Sequence, residues 1–395
     1  MWNFREGYLE KITQHTENEM KKCGYSFEKH TVETEDGYLL EMYRIPRDRS
    51  KNSSNNESKH PVLLCHALTC SSASFFVPRP IAYYLVEEGF DVWLPNCRGT
   101  TFSRGHVKWD SDKDSKKYWE FSWHEIGIYD IAACIDYVLA KTGYKKIFTI
   151  GHSQGTTSLA VLLSERPDYN KKIAIGFMLG PSIIFENFNS IFATKIVPYI
   201  IFPIAKMIQK FLGEMPGEMP ASCFFRVIGT ISSWMSRFFL FLFAGHADCS
   251  QVSDLDFQAI SMSIPNSTSL YQFDHFIQII SNKRFAKYDH GREKNMQLYG
   301  SELPPLYDLS KVTAPVVLFI GKNDMYTHSK DIDKLCTLMK NVVYVHNIEY
   351  DEFNHVDFIV ARDCIPLVYS HVVRLMKNML NNCKEEELCP VRKLQ

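Results

Sequence analysis

A serine between two glycines is the residue in this sequence best suited to covalent chemistry. The segment reads Gly151-His-Ser153-Gln-Gly155 and follows an apolar run that ends at Ile150. A serine on a sharp strand-to-helix turn holds its hydroxyl above the sheet, and small neighbours let the backbones pass closely. Ser153 is therefore predicted to be a nucleophile. The competing interpretation is a glycine-rich turn in which Ser153 only caps the helix.

A serine hydroxyl needs a general base, and the base needs an acid that orients it. Asp324 follows the apolar run Val316–Ile320, and His355 lies farther along in a polar loop before the last helix. Serine, acid and then histidine is the chain order of such a triad on an open α/β sheet. Asp324 and His355 are therefore predicted to be the acid and the base. The alternatives are that Asp324 is only a turn residue and that His328 or His346 is the base.

Acyl transfer also requires two preorganised N–H donors for the oxyanion of the tetrahedral intermediate. Gln154, directly after the nucleophile, is expected to supply one of them. The other is expected from the loop after the apolar run Pro61–Cys65, where Leu68 is the candidate. His66 is assigned to the shape of this loop rather than to catalysis. Because side chains and backbone N–H groups suffice for this chemistry, no metal and no organic cofactor is predicted.

Short apolar runs that alternate with helical spacing must position these groups. Strands are predicted at Pro61–Cys65, Phe90–Leu94, Lys146–Ile150, Ile173–Leu179, Pro315–Gly321 and Val342–Val345, and helices at Ile81–Glu88, Ile126–Ala140, Thr156–Ser164, Lys330–Leu338 and Ile365–Leu380. This alternation predicts an α/β fold with a mostly parallel sheet flanked by helices. Upstream, the Glu35-Asp36-Gly37 segment separates two β-rich runs and predicts a hairpin between Phe27 and Ile45.

The alternation stops after residue 180, where long apolar and aromatic stretches predict a mainly helical cap or lid. The predicted divisions are 1–180 for the first part of the core with its hairpin, 181–300 for the cap, 301–380 for the second part of the core and 381–395 for a polar tail. Residues 223–245 are long enough to span a bilayer, but Arg226 and Arg237 disfavour a membrane span. An apolar cap over a pocket or on a lipid surface is preferred to an ordinary helical core.

Composition and charge exclude several other classes of function. The 395 residues carry 44 Lys and Arg against 45 Asp and Glu, which gives a net charge of −1. This balance has no basic field that would recruit nucleic acid, and the sequence contains no P-loop, HExxH motif or CxxC pair. Neither a nucleic-acid partner nor a metal is therefore expected. The 45% of hydrophobic residues is typical of a globular protein.

Several segments together resemble the acid lipase family of α/β-hydrolases, the gastric and lysosomal lipases with their insect relatives. These segments are Gly24–Gly37, Asn96–Arg104, Phe121–Asp130, Gly151–Thr157, Tyr288–Gly291 and Asn354–Phe358, and they span nearly the whole chain. The resemblance implies a core sheet with a cap and lid, a triad of Ser153, Asp324 and His355, and an oxyanion hole at Leu68 and Gln154. It also implies hydrolysis of triacylglycerols or sterol esters without a cofactor.

The sequence departs from the family pattern at several positions. Ala67 stands where the family usually has glycine, and Pro265-Asn-Ser-Thr-Ser269 replaces a usual Gly-Thr-Ser segment. The methyl group of Ala67 is expected to narrow the site or alter the preferred chain length. A disulfide in the cap is common in relatives, and Cys223 and Cys249 are the candidate partners.

The family resemblance implies a secreted or lysosomal location. Met1–Met20, however, lacks the apolar core of a signal peptide, so the compartment stays open. Sequons begin at Asn52, Asn56 and Asn266 and predict a glycoprotein.

The apolar cap favours neutral lipid and a lipid–water interface as partners. Two other functions are compatible with the sequence: a general carboxylesterase acting on small esters, and a non-catalytic lipid-binding protein on a lipase scaffold. The second should show a damaged triad, whereas all three predicted members are present. Epoxide hydrolases and dehalogenases use aspartate as the nucleophile, and Ser153 disfavours both.

Overall fold

The computed structural model describes most of the core and parts of the other segments. The described residues are 24–46, 60–76, 80–188 and 264–382, with isolated positions at 13, 14, 16–18, 21, 194, 195, 199, 203, 248, 250–253, 256 and 260. Most of the predicted cap lies outside them, as do the candidate disulfide partners Cys223 and Cys249 and the sequons at Asn52 and Asn56.

Within the described residues the strands form one nine-stranded sheet. They are β1 (Glu28–Glu33), β2 (Tyr38–Ile45), β3 (Pro61–Cys65), β4 (Asp91–Pro95), β5 (Gly105–His106), β6 (Ile147–His152), β7 (Ile173–Leu179), β8 (Val316–Ile320) and β9 (Val342–Asn347). The spatial order is β1-β2-β4-β3-β6-β7-β8-β9, with β5 beside β2. β2 pairs antiparallel with β1, β4 and β5, whereas all neighbours from β4 to β9 are parallel. The predicted hairpin and mostly parallel sheet are confirmed.

The helices follow the predicted alternation with shifted ends. They are α1 (Ile81–Glu87), α2 (Ser115–Tyr118), α3 (Trp123–Glu125), α4 (Ala132–Thr142), α5 (Gln154–Glu165), α6 (Leu270–Asn282), α7 (Arg292–Tyr299), α8 (Ser329–Leu338), α9 (Asp357–Val360) and α10 (Ser370–Asn382). Short 3-10 segments lie at Ser72–Phe75, Pro167–Lys172 and Leu309–Lys311, and π-helical segments at Ile126–Ile131 and Ile365–Tyr369. In the part of the chain that the structure describes, no helix is long and apolar enough to cross a membrane.

Both faces of the sheet are buried at the central strands β3, β4, β6, β7 and β8, because helices cover the sheet on both sides. Along β3, Val62 and Leu64 join one hydrophobic cluster, while Leu63 and Cys65 join the other. Helices α1, α9 and α10 contribute to the first cluster, and α3, α4, α5 and α8 contribute to the second. Successive side chains of a strand point to opposite faces, so a strand buried on both sides is apolar at every position.

The strand order reverses at β3, which has β4 on one side and β6 on the other. In open α/β sheets such a reversal leaves a crevice at the carboxyl ends of the strands, where ligands bind. Cys65 at the end of β3 is in register with Gly151 of β6. The loop after β3 and the turn after β6 therefore lie side by side at this crevice.

Residues 264–300 are the described C-terminal part of the predicted cap, and α6 within them is attached to α3. The His275 ring stacks on Trp123 with 3.7 Å between ring centroids, and the Ser269 hydroxyl donates to the Trp119 carbonyl at 2.6 Å. Asn266 is only 2% exposed, and its Oδ1 accepts the Thr101 N–H at 2.8 Å. This sequon does not offer its amide to a glycan in the folded chain.

Candidate active site

Ser153 occupies the turn between β6 and α5 in a strained backbone conformation. Its φ is 52° and its ψ is −116°, a region that residues other than glycine rarely adopt. Its side chain makes no capping hydrogen bond to α5, so the helix-cap interpretation is wrong. α5 begins at Gln154 rather than near Thr156 because the turn leads directly into the helix.

The two glycines of the motif are required by close backbone contacts. A Cβ atom on Gly155 would lie 2.3 Å from the Cys65 carbonyl oxygen, and one on Gly151 would lie 2.8 Å from the Gly155 carbonyl carbon. A side chain at Gly155 would push against the end of β3, and one at Gly151 would push against the first turn of α5.

Ser153, His355 and Asp324 form one chain of hydrogen bonds. His355 Nε2 lies 2.7 Å from Ser153 Oγ, and its Nδ1 lies 2.9 Å from Asp324 Oδ2. An ionised carboxylate only accepts, so Nδ1 carries the proton and Nε2 is free to accept from the serine hydroxyl. The structure thus brings together the three side chains predicted from the sequence.

The competing histidines have other contacts. His328 is the N-terminal cap of α8, where its Nδ1 accepts the Lys330 N–H at 3.3 Å. His346 lies in β9 and packs on the His371 ring with 4.3 Å between centroids. These contacts of His328 and His346 are with residues other than Ser153 and Asp324.

The loop that carries His355 is closed by reciprocal hydrogen bonds. Asn354 Oδ1 accepts the N–H groups of Val356 and Asp357 at 2.9 and 3.2 Å, and Asp357 Oδ2 accepts the Asn354 N–H at 2.8 Å. Burial raises the pKa of the Asp357 carboxyl to about 7. The base is therefore presented from a short, rigid turn.

His152 links this loop to the nucleophile. Its Nε2 donates to the backbone carbonyl of His355 at 2.9 Å, since a carbonyl oxygen can only accept. Burial lowers the pKa of His152 to about 3, so the ring is neutral. His152, directly before Ser153, therefore holds the backbone of His355 in place.

The loop after β3 is shaped by His66, as predicted. The Cys97 N–H donates to His66 Nε2 at 3.1 Å, which leaves Nδ1 to donate to the Ala67 carbonyl at 2.9 Å. Burial lowers the pKa of His66 to about 4, so it stays neutral. Leu68 lies in this loop and Gln154 is the first residue of α5, on the two sides of the crevice.

Two neighbours of the triad were missed by sequence reasoning. Gly180, with a φ of 58°, follows β7, and a Cβ atom there would lie 3.0 Å from both Asp324 Oδ2 and His355 Nδ1. The Tyr326 ring centroid lies 4.5 Å from that of His355. Two features of the sequence could have indicated these neighbours: a glycine directly after a predicted strand, and an aromatic residue two positions after Asp324.

Nothing in the described part of the chain resembles a metal centre, because no group of three or more His, Cys, Asp or Glu side chains there is arranged to hold an ion. The buried hydrogen-bond chain from carboxylate to hydroxyl can instead remove a proton from Ser153 and return it to a leaving group.

Comparison with known proteins points to the same chemistry. Residues 16–78 match the family model of a partial alpha/beta-hydrolase lipase region, and residues 60–196 match that of the alpha/beta hydrolase fold. The chain is 36% identical to Lipase 1 of Drosophila melanogaster, over 92% of this chain and 80% of that protein. It is 33% identical to the gastric triacylglycerol lipase of Rattus norvegicus, over 89% of each chain.

Solved structures support the fold alone, because their sequence identities are low. An epoxide hydrolase from Vigna radiata matches with a TM-score of 0.52 and 16% identity, over 89% of this chain and 98% of that chain. A putative hydrolase from Bacillus subtilis matches with a TM-score of 0.51 and 12% identity, over 93% and 99%. The predicted α/β-hydrolase fold is thus confirmed. With its lipase relatives at up to 36% identity over most of their length, the chain belongs to the acid lipase family of α/β-hydrolases and is an ester-hydrolysing enzyme.

Proposed function

We propose that the protein is a serine lipase that cleaves the ester bonds of neutral lipids, triacylglycerols or sterol esters, through an acyl-enzyme intermediate. One observation carries the proposal: the imidazole of His355 bridges Ser153 Oγ at 2.7 Å and Asp324 Oδ2 at 2.9 Å. This is the hydrogen-bond pattern that makes a serine hydroxyl nucleophilic.

In the acylation half, Ser153 Oγ attacks the ester carbonyl carbon while His355 Nε2 takes the hydroxyl proton. Asp324 holds the Nδ1–H tautomer and stabilises the imidazolium that forms. The oxyanion is received by the backbone N–H groups of Leu68 and Gln154, each worth roughly 10²- to 10³-fold in rate by analogy with other oxyanion holes. The bond to the alcohol oxygen breaks, and His355 Nε2 returns the proton to that oxygen.

In the deacylation half, water replaces the alcohol. His355 Nε2 takes a proton from the water, whose oxygen attacks the acyl carbon, and the second tetrahedral intermediate collapses. The fatty acid leaves and Ser153 Oγ recovers its proton. The protein's own side chains supply every proton transfer in this cycle.

The apolar composition of residues 181–300 supports a lipid substrate and action at a lipid–water interface. A relative of 33% identity is named a triacylglycerol lipase, which favours triacylglycerols over small esters. We further propose a secreted or lysosomal location and the division into core, cap and tail given above.

The nucleophile is tested by Ser153→Ala with emulsified triolein as substrate. We expect a loss of roughly 10⁴-fold or more in kcat, because the remaining rate comes from binding and the oxyanion hole alone. Ser164→Ala is the matched control, since its hydroxyl bonds the Val161 carbonyl within α5, away from the triad. Near-wild-type turnover by the Ser153 variant would overturn the proposal.

The substrate class is tested by a panel of triolein, cholesteryl oleate and short p-nitrophenyl esters, at about pH 5 and about pH 8. We expect cleavage of at least one of the two lipids. Activity confined to the short soluble esters would make the protein a general carboxylesterase. Failure of a fluorophosphonate probe to label intact protein would favour the non-catalytic lipid-binding function.

A further inference from the structure

An aromatic ring lies against the imidazole of His355. The Tyr326 ring centroid is 4.5 Å from the His355 ring centroid, with 49° between the ring planes. The backbone N–H of Tyr326 donates to Asp324 Oδ1 at 2.8 Å. The same short loop therefore supplies the acid that bonds one nitrogen of the imidazole and a ring that contacts it from the side.

The Tyr326 ring also packs against two further aromatic rings. Phe188 stacks on it with 5.4 Å between centroids and 23° between planes, and Phe185 meets it edge-on at 6.5 Å. Burial and the nearby Asp324 carboxylate raise the pKa of Tyr326 above the ordinary tyrosine value, so its phenol is neutral between about pH 5 and about pH 8. The ring therefore presents a neutral π-system to His355.

Few charged groups compete with this contact within the described residues. The titratable and charged groups facing the His355 ring are Ser153 and His152 from the turn after β6, and Asp324 and Tyr326 from the loop after β8. Asp357, on the same loop as His355, bonds the Asn354 backbone. His152 is neutral because burial lowers its pKa to about 3. Asp324 is thus the anion bonded to the imidazole, and Tyr326 is the aromatic ring of the loop after β8 beside it.

A cation within about 6 Å of an aromatic ring is attracted by the negative face of the π-system, and the attraction is larger when water is excluded. During the reaction the neutral His355 ring becomes a cation when it takes the Ser153 proton, and protonation by solvent on the acidic limb of the pH profile gives the same cation. The contact with Tyr326 is therefore stronger in the transition state than in the resting enzyme, which is the condition for raising the rate.

We propose that Tyr326 is a positioning residue that stabilises the imidazolium form of His355 through a cation–π contact. This role rests on the proposed function of His355 as the general base. Tyr326 touches no reacting atom of the substrate and acts through His355.

The test compares variants that keep or remove the ring, using a soluble p-nitrophenyl ester so that no interface affects the pH profile. Tyr326→Phe keeps the ring, while Tyr326→Leu and Tyr326→Met remove it at similar volume. Without the ring the cation is less stable, so the acidic limb of the kcat/KM profile should move to lower pH by about 0.5 to 1 unit. The plateau should fall about three- to tenfold, chiefly in kcat.

Phe188→Leu is the matched control, because it removes the ring that packs behind Tyr326. It should leave the acidic limb in place. Burial raises the pKa of Asp357 to about 7, so each profile is repeated in an Asp357→Asn background to remove that titration from the comparison. Thermal unfolding of each variant establishes which proteins are folded, and the methionine variant serves if the leucine variant is not.

The proposal is supported if Tyr326→Phe keeps the wild-type profile and the ring-free variants shift it. It is rejected if the ring-free variants keep the limb unmoved, or if Phe188→Leu moves it equally, since either result means packing alone. These outcomes are separate from failure of the proposed function, which would appear as an active Ser153→Ala protein.

Discussion

At the scale of single residues, the backbone at Gly180 contributes to the geometry of the proposed triad. The chain turns after β7 with a φ of 58° and passes directly beside the hydrogen bond between Asp324 and His355. A Cβ atom there would lie 3.0 Å from a bonded atom on each side. A side chain at this position would press on the acid and the base at once and shift them from this geometry.

Gly180→Ala should lower kcat/KM by roughly a hundredfold, because displacing the acid from the base misaligns the proton transfer. Gly143→Ala is the control: its φ is 77°, and nothing lies within 4 Å of its added Cβ. Both variants should lose about 1–2 kcal/mol of unfolding free energy from the left-handed conformation, but only the first should lose activity. Equal activity in the two variants would contradict this assignment.

Asp357 should make stability depend on pH. Its pKa is about 7 in the folded chain because the carboxyl is buried, whereas an unfolded aspartate titrates near 3.9. Between these values the folded state keeps a proton that the unfolded state has lost, so this contribution to stability falls as pH rises from about 4 to about 7.

Asp357→Asn removes the titration while keeping an oxygen that accepts the Asn354 N–H. Urea unfolding should show a flatter stability profile in this variant, with its largest relative gain near pH 7. Asp351→Asn, on an exposed side chain of the same loop, serves as the control. A slope that is identical in wild type and Asp357→Asn would exclude the buried carboxyl as its source.

The three residues of the proposed triad could be predicted from the sequence, because their chain order and strand-end positions follow from a parallel sheet. The sequence did not identify Gly180, Tyr326 or the bond from His152 to the His355 carbonyl. Those contacts depend on how closely loops from distant strands approach one another, and no local pattern records that distance. The distances between these loops are set by the tertiary structure.

At the scale of elements, the loop after β4 contains a buried arginine and supports the loop after β3, where we propose one of the two oxyanion donors. The Arg98 guanidinium bonds Asp36 of the hairpin turn at 2.6 and 2.8 Å and Asp130 of the π-helical segment at 2.7 Å. Its neighbour Cys97 donates to His66. One side chain therefore ties the hairpin, the loop and the helix to the turn that contains Leu68.

Arg98→Met should lower the unfolding free energy by about 3–5 kcal/mol, because it leaves the buried Asp130 carboxylate without its partner. Arg166→Met is the matched control, since Arg166 pairs with Glu35 of the same hairpin turn, where the Glu35 side chain is 70% exposed. That change should cost about 0–1 kcal/mol. Chemical denaturation measures both values, and equal losses would count against the buried network.

Element positions were predicted well where strands are buried on both faces, because such strands read as continuous apolar runs. The two-residue strand Gly105–His106 has no pattern to recognise. The helix predicted to begin at Ile126 starts earlier, at Trp123, and the signal was present: Ser122 and Glu125 form a reciprocal capping box. Most of the predicted cap lies outside the described residues, so its helical character stays a prediction.

At the scale of the whole molecule, the core is closed to solvent around several thiols. Cys65, Cys70, Cys97 and Cys134 are all buried, and burial raises the pKa of Cys65 and Cys70 to about 12. A thiol reacts as its thiolate and only where a reagent can reach it. The reaction of these four thiols with a reagent therefore reports unfolding of the whole core.

Alkylation with iodoacetamide should modify Cys336, which is partly exposed, well before any of these four cysteines. Their labelling should follow the same dependence on urea as global unfolding, because each needs the core to open. Peptide mapping by mass spectrometry separates them from cysteines outside the described residues. Native labelling of Cys134 as fast as Cys336 would show that the core opens locally.

The direct pairing of β7 with β8 has a consequence for exchange between relatives. Gly176 is in register with Val316 and Leu179 with Phe319, although the whole 181–300 segment separates the two strands in the sequence. The polypeptide thus leaves the sheet at the end of β7 and returns to it in the neighbouring strand β8, so the segment between them can be exchanged as a unit. Chimeras that exchange this segment between family members should keep the ester-hydrolysing reaction and acquire the substrate preference of the donor.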